Sequence, residues 1–79
     1  MEHTKQSAIG RIETNPNILL GKPVIKGTRI PVSVILNLLA HGYTTERVVE
    51  AYPQLTPEDV RATMEYAAVL ADFKEMVYA

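Results

Sequence analysis

After Pro57 the chain runs EDVRATMEYAAVLADFKEMVYA with no glycine or proline to interrupt it, and this limits the fold more than any other feature. The start of the stretch is marked three times over. Thr56 is a good N-cap, Pro57 suits the first helical position, and Asp59 stands three residues after the cap, as in a capping box. The carboxylates of Glu58 and Asp59 also favour the positive end of a helix dipole. One helix is therefore expected from Thr56 to about Val77. It carries two apolar stripes. Val60, Met64, Ala67, Ala68 and Ala71 form the first and are expected to face a core. Tyr66, Leu70, Phe73 and Val77, at i, i+4, i+7 and i+11, form the second. A three-helix domain needs only one such stripe, so the second is expected to serve as a dimer or partner interface.

Two shorter helices precede it. Pro31 opens the first, VSVILNLLAHG, with Ile35, Leu38 and Leu39 on its apolar side, widened by Val34 and Leu36, and Gly42 at its C-terminal end. Thr44 caps the second, TERVVEAY, which turns Val48, Val49 and Tyr52 inward and stops at Pro53. A short PQL link joins it to the long helix, the order of a helix-turn-helix. Ahead of the helices, IGRIE alternates weakly and TNPN is a turn. GKPVIKGTRIPV then reads as a tight hairpin with Gly27 at positive φ. The expected layout is a flexible segment at 1–8 and one domain at 9–79, with a β-hairpin at about 9–31. The fold class is mainly α, with a short N-terminal β element.

A single domain of 79 residues buries only about 60% of the surface its unfolded chain exposes. Such small scaffolds lean on disulfides, metals or oligomerisation. Cysteine is absent, which removes disulfides and thiolate-bound zinc, and His3 and His41 lie too far apart in sequence to argue for a metal site. Oligomerisation is the expected stabiliser, and a homodimer its simplest form. No signal peptide pattern leads the chain, and the apolar run at 30–40 is too short to span a bilayer, so a cytoplasmic location is expected.

Charge divides the chain unevenly. Residues 1–31 hold five basic and two acidic side chains, a net +3, and residues 32–79 hold three and seven, a net −4. Such asymmetry points to different partners for the two ends. The hairpin does not fit a phosphate loop: Pro16 replaces the first glycine of that motif, and Pro23, after Lys22, lacks the N–H a phosphate cradle would use. Glu58, Glu65 and Asp72 line one helical face, with Arg61 able to pair across it, and read as a solvated surface. His41 reads as a helix-end cap, and no nucleophile–base set supports an enzyme.

In a helix-turn-helix, the N-terminal residues of the second helix reach base edges. Here those residues include Glu58 and Asp59, which would face phosphates. Nucleic-acid contact is therefore expected from Arg11, Lys22, Lys26 and Arg29 instead, because binding depends on cations neutralising phosphates.

The run RIETNPNILLGKPVIKGTRIPV, followed by LLAHGYTTERVVEAYPQLTPEDVRATMEYAA, closely resembles the domain-of-unknown-function family number 433. Its marks are the Asn-Pro turn, Gly-Lys-Pro, the Ile-Lys-Gly-Thr-Arg-Ile run, Tyr-Pro-Gln-Leu and the tyrosine-alanine end in the third helix. The resemblance covers about Ile9 to Ala68 and implies a homeodomain-like three-helix domain. Many such proteins are encoded beside a small PIN-like nuclease and are regarded as antitoxins of type II toxin–antitoxin pairs. It therefore implies a protein that binds and neutralises that nuclease and also contacts operator DNA, with no catalytic residue and no cofactor. A protein-interaction module that uses the helix-turn-helix only as scaffold is the alternative.

Overall fold

The computed structural model describes residues 7–78, with side chains to residue 72. It is mainly helical. Short 3-10 turns at Ile9–Arg11 and Leu19–Gly21 alternate with strands β1 (Ile12–Glu13) and β2 (Val24–Ile25). Helices α1 (Val32–Ala40), α2 (Thr45–Ala51) and α3 (Pro57–Tyr78) follow. The strands pair antiparallel, Ile12 opposite Ile25 and Glu13 opposite Val24. Of the alternating stretch at 9–13, only the last two residues are strand. The first three close a 3-10 turn, where the Arg11 N–H donates to the Ala8 carbonyl at 3.0 Å.

The turn expected at Lys26-Gly27 forms. Gly27 has φ +78°, and the chain doubles back so that the Ile25 N–H donates to the Ile30 carbonyl at 3.1 Å. Thr28 locks the turn, its hydroxyl donating to the Ile25 carbonyl at 2.8 Å and accepting from the Ile30 N–H at 3.0 Å. Pro31 is the N-cap of α1 rather than its first helical residue, with ψ 145°. It bridges Val24 across the small sheet and must stay extended to do so.

Local signals fix the other helix ends. Gly42 takes φ +95° after α1, and His41 Nδ1 lies 2.7 Å from the Asn37 carbonyl oxygen. Thr44 Oγ1 accepts the Arg47 N–H at 3.1 Å. At the head of α3 the capping box is reciprocal. The Thr56 N–H donates to Asp59 Oδ2 at 2.9 Å, and the Asp59 N–H donates to Thr56 Oγ1 at 3.2 Å. Between the elements, Ile25, Val32, Ile35, Val48, Leu55 and Val60 form one buried cluster, with Ile12, Leu36, Tyr52 and Tyr66 against it. Each strand-to-helix junction thus contributes to a single core, which is what a domain of this size requires.

The core-facing side of α3 differs from the expected one. Asp59, Val60, Ala62 and Thr63 are buried and Tyr66 packs against the core, whereas Met64 is 46% exposed and Ala68 and Ala71 face solvent. At 100° per residue, Asp59, Ala62, Thr63, Tyr66 and Leu70 fall on one strip. The second expected stripe therefore continues the buried face, and the first, apart from Val60, lies to one side of it. The first three turns of the buried face pack on the body, and the rest continues past it. Two polar residues on the strip are satisfied internally: the Thr63 hydroxyl donates to the Asp59 carbonyl at 3.1 Å, and the Asp59 carboxylate caps the helix. Beyond Ala67 every described side chain, 68–72, is exposed.

The segment expected to be flexible at 1–8 enters the described residues at Ser7 and Ala8, and both are held. Glu65 Oε1 accepts the Ser7 hydroxyl at 2.7 Å and the Ala8 N–H at 3.1 Å, and Ala8 is buried. Residues 1–6, His3 among them, lie outside the described residues. Among the described residues, no helix is long and apolar enough to cross a membrane.

Candidate functional site

The segment from Gly21 to Val32 wraps one end of the helices, and its turn geometry sets where its cations point. Lys22, Lys26 and Arg29 are all exposed. The backbone of Lys26 is anchored by its N–H donating to the Arg11 carbonyl at 2.8 Å, which fixes the turn and leaves the ammonium in water. Arg29 and Gly27 share an open cavity of about 440 Å³ with Glu13, Ile18 and Gln54. Gln54 belongs to the α2–α3 turn, so the hairpin tip and the helix-turn-helix turn form one surface. Lys22 points elsewhere, onto an apolar groove of about 350 Å³ lined by Pro23, Val32, Leu36, Tyr66 and Leu70.

Arg11 stands apart from the other three expected nucleic-acid contacts. Its Nη1 donates to Asp59 Oδ1 at 3.1 Å, and the Asp59 side chain is only 8% exposed. The Asp59 carboxylate therefore holds the first turn of α3 and clamps the N-terminal 3-10 turn to it. Other cations are engaged as well. Arg47 lies 3.7 Å from Glu50 and over the Tyr43 ring, and Arg61 lies 2.9 Å from Glu65. Lys22, Lys26 and Arg29 make no ion pair among the described residues.

The acidic face of α3 is less solvated than its spacing implies. Glu65 gathers Ser7, Ala8 and Arg61, and its carboxyl is held below the ordinary 4.5. The Ser7 hydroxyl bond contributes most to this, with the Ala8 and Ile9 N–H groups and the Arg61 charge adding to it against partial desolvation. Nothing in the sequence beyond the Arg61–Glu65 spacing marked that carboxylate as an anchor for the N-terminal segment. Among the described residues, no three His, Asp or Glu side chains converge in a way that could hold a metal ion.

On the expected interface, Tyr66 is half-buried against the core and Leu70 is 45% exposed beside the groove. The side chains of Phe73 and Val77 lie outside the described residues. One further feature carries no sequence signal except Gly21. Leu19, Leu20 and Gly21 adopt three consecutive left-handed conformations, φ +50°, +58° and +83°, and Leu20 is 93% exposed at the crest. Each non-glycine residue there costs about 1–2 kcal/mol.

These elements define a small helix-turn-helix domain whose N-terminal sheet presents a basic turn beside the link between its last two helices. The chain belongs to the family described as "Protein of unknown function (DUF433)", whose model matches residues 12–67. It is similar to "Uncharacterized protein y4eO" of Sinorhizobium fredii, with 41% identity over 56 residues, 71% of this chain. It spans only about a quarter of that relative's length, 25%. The crystal structure of a DUF433 member from Anabaena variabilis is similar, with a TM-score of 0.72 and 27% identity. That likeness covers 84% of this chain and 65% of the solved one.

Proposed function

We propose that this chain is a non-enzymatic, antitoxin-like binding module that holds and neutralises a PIN-like nuclease, with its basic turn as the working surface. The observation that carries this reading is the distribution of cations. Arg11, Arg47 and Arg61 are each engaged with a carboxylate, whereas Lys22, Lys26 and Arg29, all from one segment, are left exposed without an ion pair among the described residues. Exposed cations on a hydrogen-bonded turn suit an acidic partner surface, because the charge arrives pre-positioned and its attraction steers encounter. The nuclease class comes from the family resemblance. The same cations suit phosphates, which gives the proposed operator contact.

The test is co-expression with a PIN-like nuclease taken from beside its gene, followed by pull-down and an RNA-cleavage assay; a neighbourhood with no such nuclease would also count against the reading. Wild type should co-purify and suppress cleavage, and Lys26→Ala/Arg29→Ala should lose most of both effects. Failure to co-purify at low salt would reject the nuclease reading.

A second reading, an interaction module that does not bind DNA, is favoured by the head of α3. A reading head there would consist of an exposed Glu58 and an Asp59 committed to capping. Gel shifts with DNA from upstream of its gene, at two salt concentrations, separate the two readings. Operator binding should weaken with salt, and the Lys26→Ala/Arg29→Ala slope should be smaller by about two phosphate contacts. No shift at low salt would leave the interaction module.

A further inference from the structure

We propose that the cavity between the hairpin tip and the α2–α3 turn holds one unpaired guanine base of a single-stranded nucleic acid, recognised by Glu13 and Arg29. Nuclease binding by the basic turn does not account for this cavity. A turn that grips an acidic surface has no use for a carboxylate in its midst, yet Glu13 lines the same space of about 440 Å³ as Arg29. The two opposite charges form no ion pair with each other or with any other described residue. The Gln54 amide beside them is likewise unengaged among the described residues.

Backbone hydrogen bonds hold the walls in place. β1 sets Glu13 opposite the fully buried Val24. Ile18 follows an Asx turn, in which the Asn17 N–H donates to Asn15 Oδ1 at 2.8 Å and the Ile18 N–H donates to the Asn15 carbonyl at 2.8 Å. Arg29 rides on the turn that Thr28 locks, so the Thr28 hydroxyl is already committed. Gln54 stands in the link closed by the Leu55 N–H donating to the Tyr52 carbonyl at 2.9 Å. The volume falls within the range of small-ligand sites, about 300–1,000 Å³. What is open inside it is an acceptor-only carboxylate, a donor-only guanidinium, an amide that does both, and apolar Ile18.

Among the bases, that set fits guanine. Its N1–H and N2 amino group are adjacent donors for one carboxylate, and its O6 and N7 are adjacent acceptors for one guanidinium. Adenine turns its N1 acceptor, and cytosine its N3 acceptor, toward the carboxylate, and uracil flanks its one N–H with carbonyls. The guanine N1–H is available only where the base is unpaired, so the strand must be single; loops and ends display their base edges in this way. A free zwitterionic amino acid would also satisfy one carboxylate and one guanidinium, but Lys26 argues against it. Next to Gly27 at the edge of the cavity, Lys26 is exposed and makes no ion pair among the described residues. It offers a cation for a phosphate that an amino acid lacks.

Fluorescence anisotropy with the full chain and short labelled strands of uracil carrying one guanine or one adenine tests this. The guanine strand should bind about fivefold tighter or more. A DNA version should show the same preference, and free guanosine monophosphate should compete better than adenosine monophosphate, because the base is what is recognised. Two changes to the strand probe each contact with the protein unaltered. Inosine, which lacks the N2 amino group facing Glu13, and 7-deazaguanine, which lacks the N7 facing Arg29, should each bind several-fold more weakly than guanine. Glu13→Gln should erase the preference for guanine, whereas Lys26→Ala should weaken both strands equally and keep it. Glu13→Gln should leave nuclease capture unchanged, so failure of this site and failure of the nuclease reading are seen separately. Equal binding of the guanine and adenine strands, full affinity for inosine, or a guanine preference that survives Glu13→Gln would overturn the proposal.

Discussion

Replacing Asp59 with alanine should destabilise the domain by about 2 kcal/mol, because one carboxylate serves two structures at once. Oδ2 accepts the Thr56 N–H at 2.9 Å as half of the capping box, and Oδ1 accepts Arg11 Nη1 at 3.1 Å. Loss of a cap interaction costs about 1 kcal/mol. The ion pair is discounted, since the Arg11 side chain is about half exposed, and is set at about 0.5–1 kcal/mol. Both losses fall where α3 begins, and nothing nearby can replace either acceptor except water. For a domain of this size, about 2 kcal/mol lowers Tm by about 8–16 °C. Urea and thermal melts followed at 222 nm would measure it. Asp59→Asn retains one side-chain acceptor, enough for the Thr56 N–H but not for Arg11 as well, and should lose about half as much. A double-mutant cycle with Arg11→Ala isolates the clamp and should return a coupling of about 0.5–1 kcal/mol. An Asp59→Ala loss within about 0.5 kcal/mol, the range of an ordinary surface change, would refute the dual role. A coupling of zero would refute the clamp alone.

The remaining predictions concern charge and backbone. Glu65 titrates below its ordinary value when folded, so its contribution to stability is complete above the unfolded value near 4.5 and is lost as pH falls through the folded one. Glu65→Gln should lower the urea midpoint at pH 7 and flatten its acid decline, the two proteins converging at the acid end; parallel curves would contradict the anchor role. Leu20, at φ +58° and 93% exposed, should be improved by Leu20→Asn, since asparagine tolerates the left-handed region; a gain of about 0.5–1 kcal/mol is expected in chemical denaturation, and a loss would show that the leucine side chain contributes packing. A Cβ on Gly27 meets nothing within 4 Å, but its φ is +78°, so Gly27→Ala should cost about 1 kcal/mol through backbone strain alone. Equal stability would mean that the turn relaxes to another conformation.

Signals that act within four or five residues were legible in the sequence. Thr44, Gly42, Thr56 and Asp59 each mark a helix end where one is found, because capping depends on a side chain and the N–H or carbonyl groups of its own turn. Gly27 likewise foretold its own conformation. The partner of β2 was not legible, since nothing local decides whether a short extended stretch pairs with the residues after its turn or with a segment a dozen residues upstream. Both occur here: Ile25 bonds Ile30 and faces Ile12. The division of the cations was equally hidden. Arg11 and Arg29 look alike in sequence. Only the 48-residue separation closed by folding shows that one is bound to a buried carboxylate and the other is not.

The phase of α3 is a different kind of failure, and its cause is specific. Apolar periodicity assigns a helix its inner face by counting apolar residues, and alanine counts among them although burying its single methyl gains little. Ala67, Ala68 and Ala71 drew the expected face toward Met64, which is exposed. Meanwhile Asp59 and Thr63, which are buried, counted against the true one. Weighting by side-chain size instead favours the line of Tyr66 and Leu70, which continues the buried Ala62 and Thr63. The second stripe was therefore never a second face. That face lies on the body as far as Tyr66, and Leu70, one turn further along the same line, is left beside the apolar groove with nearly half its surface exposed.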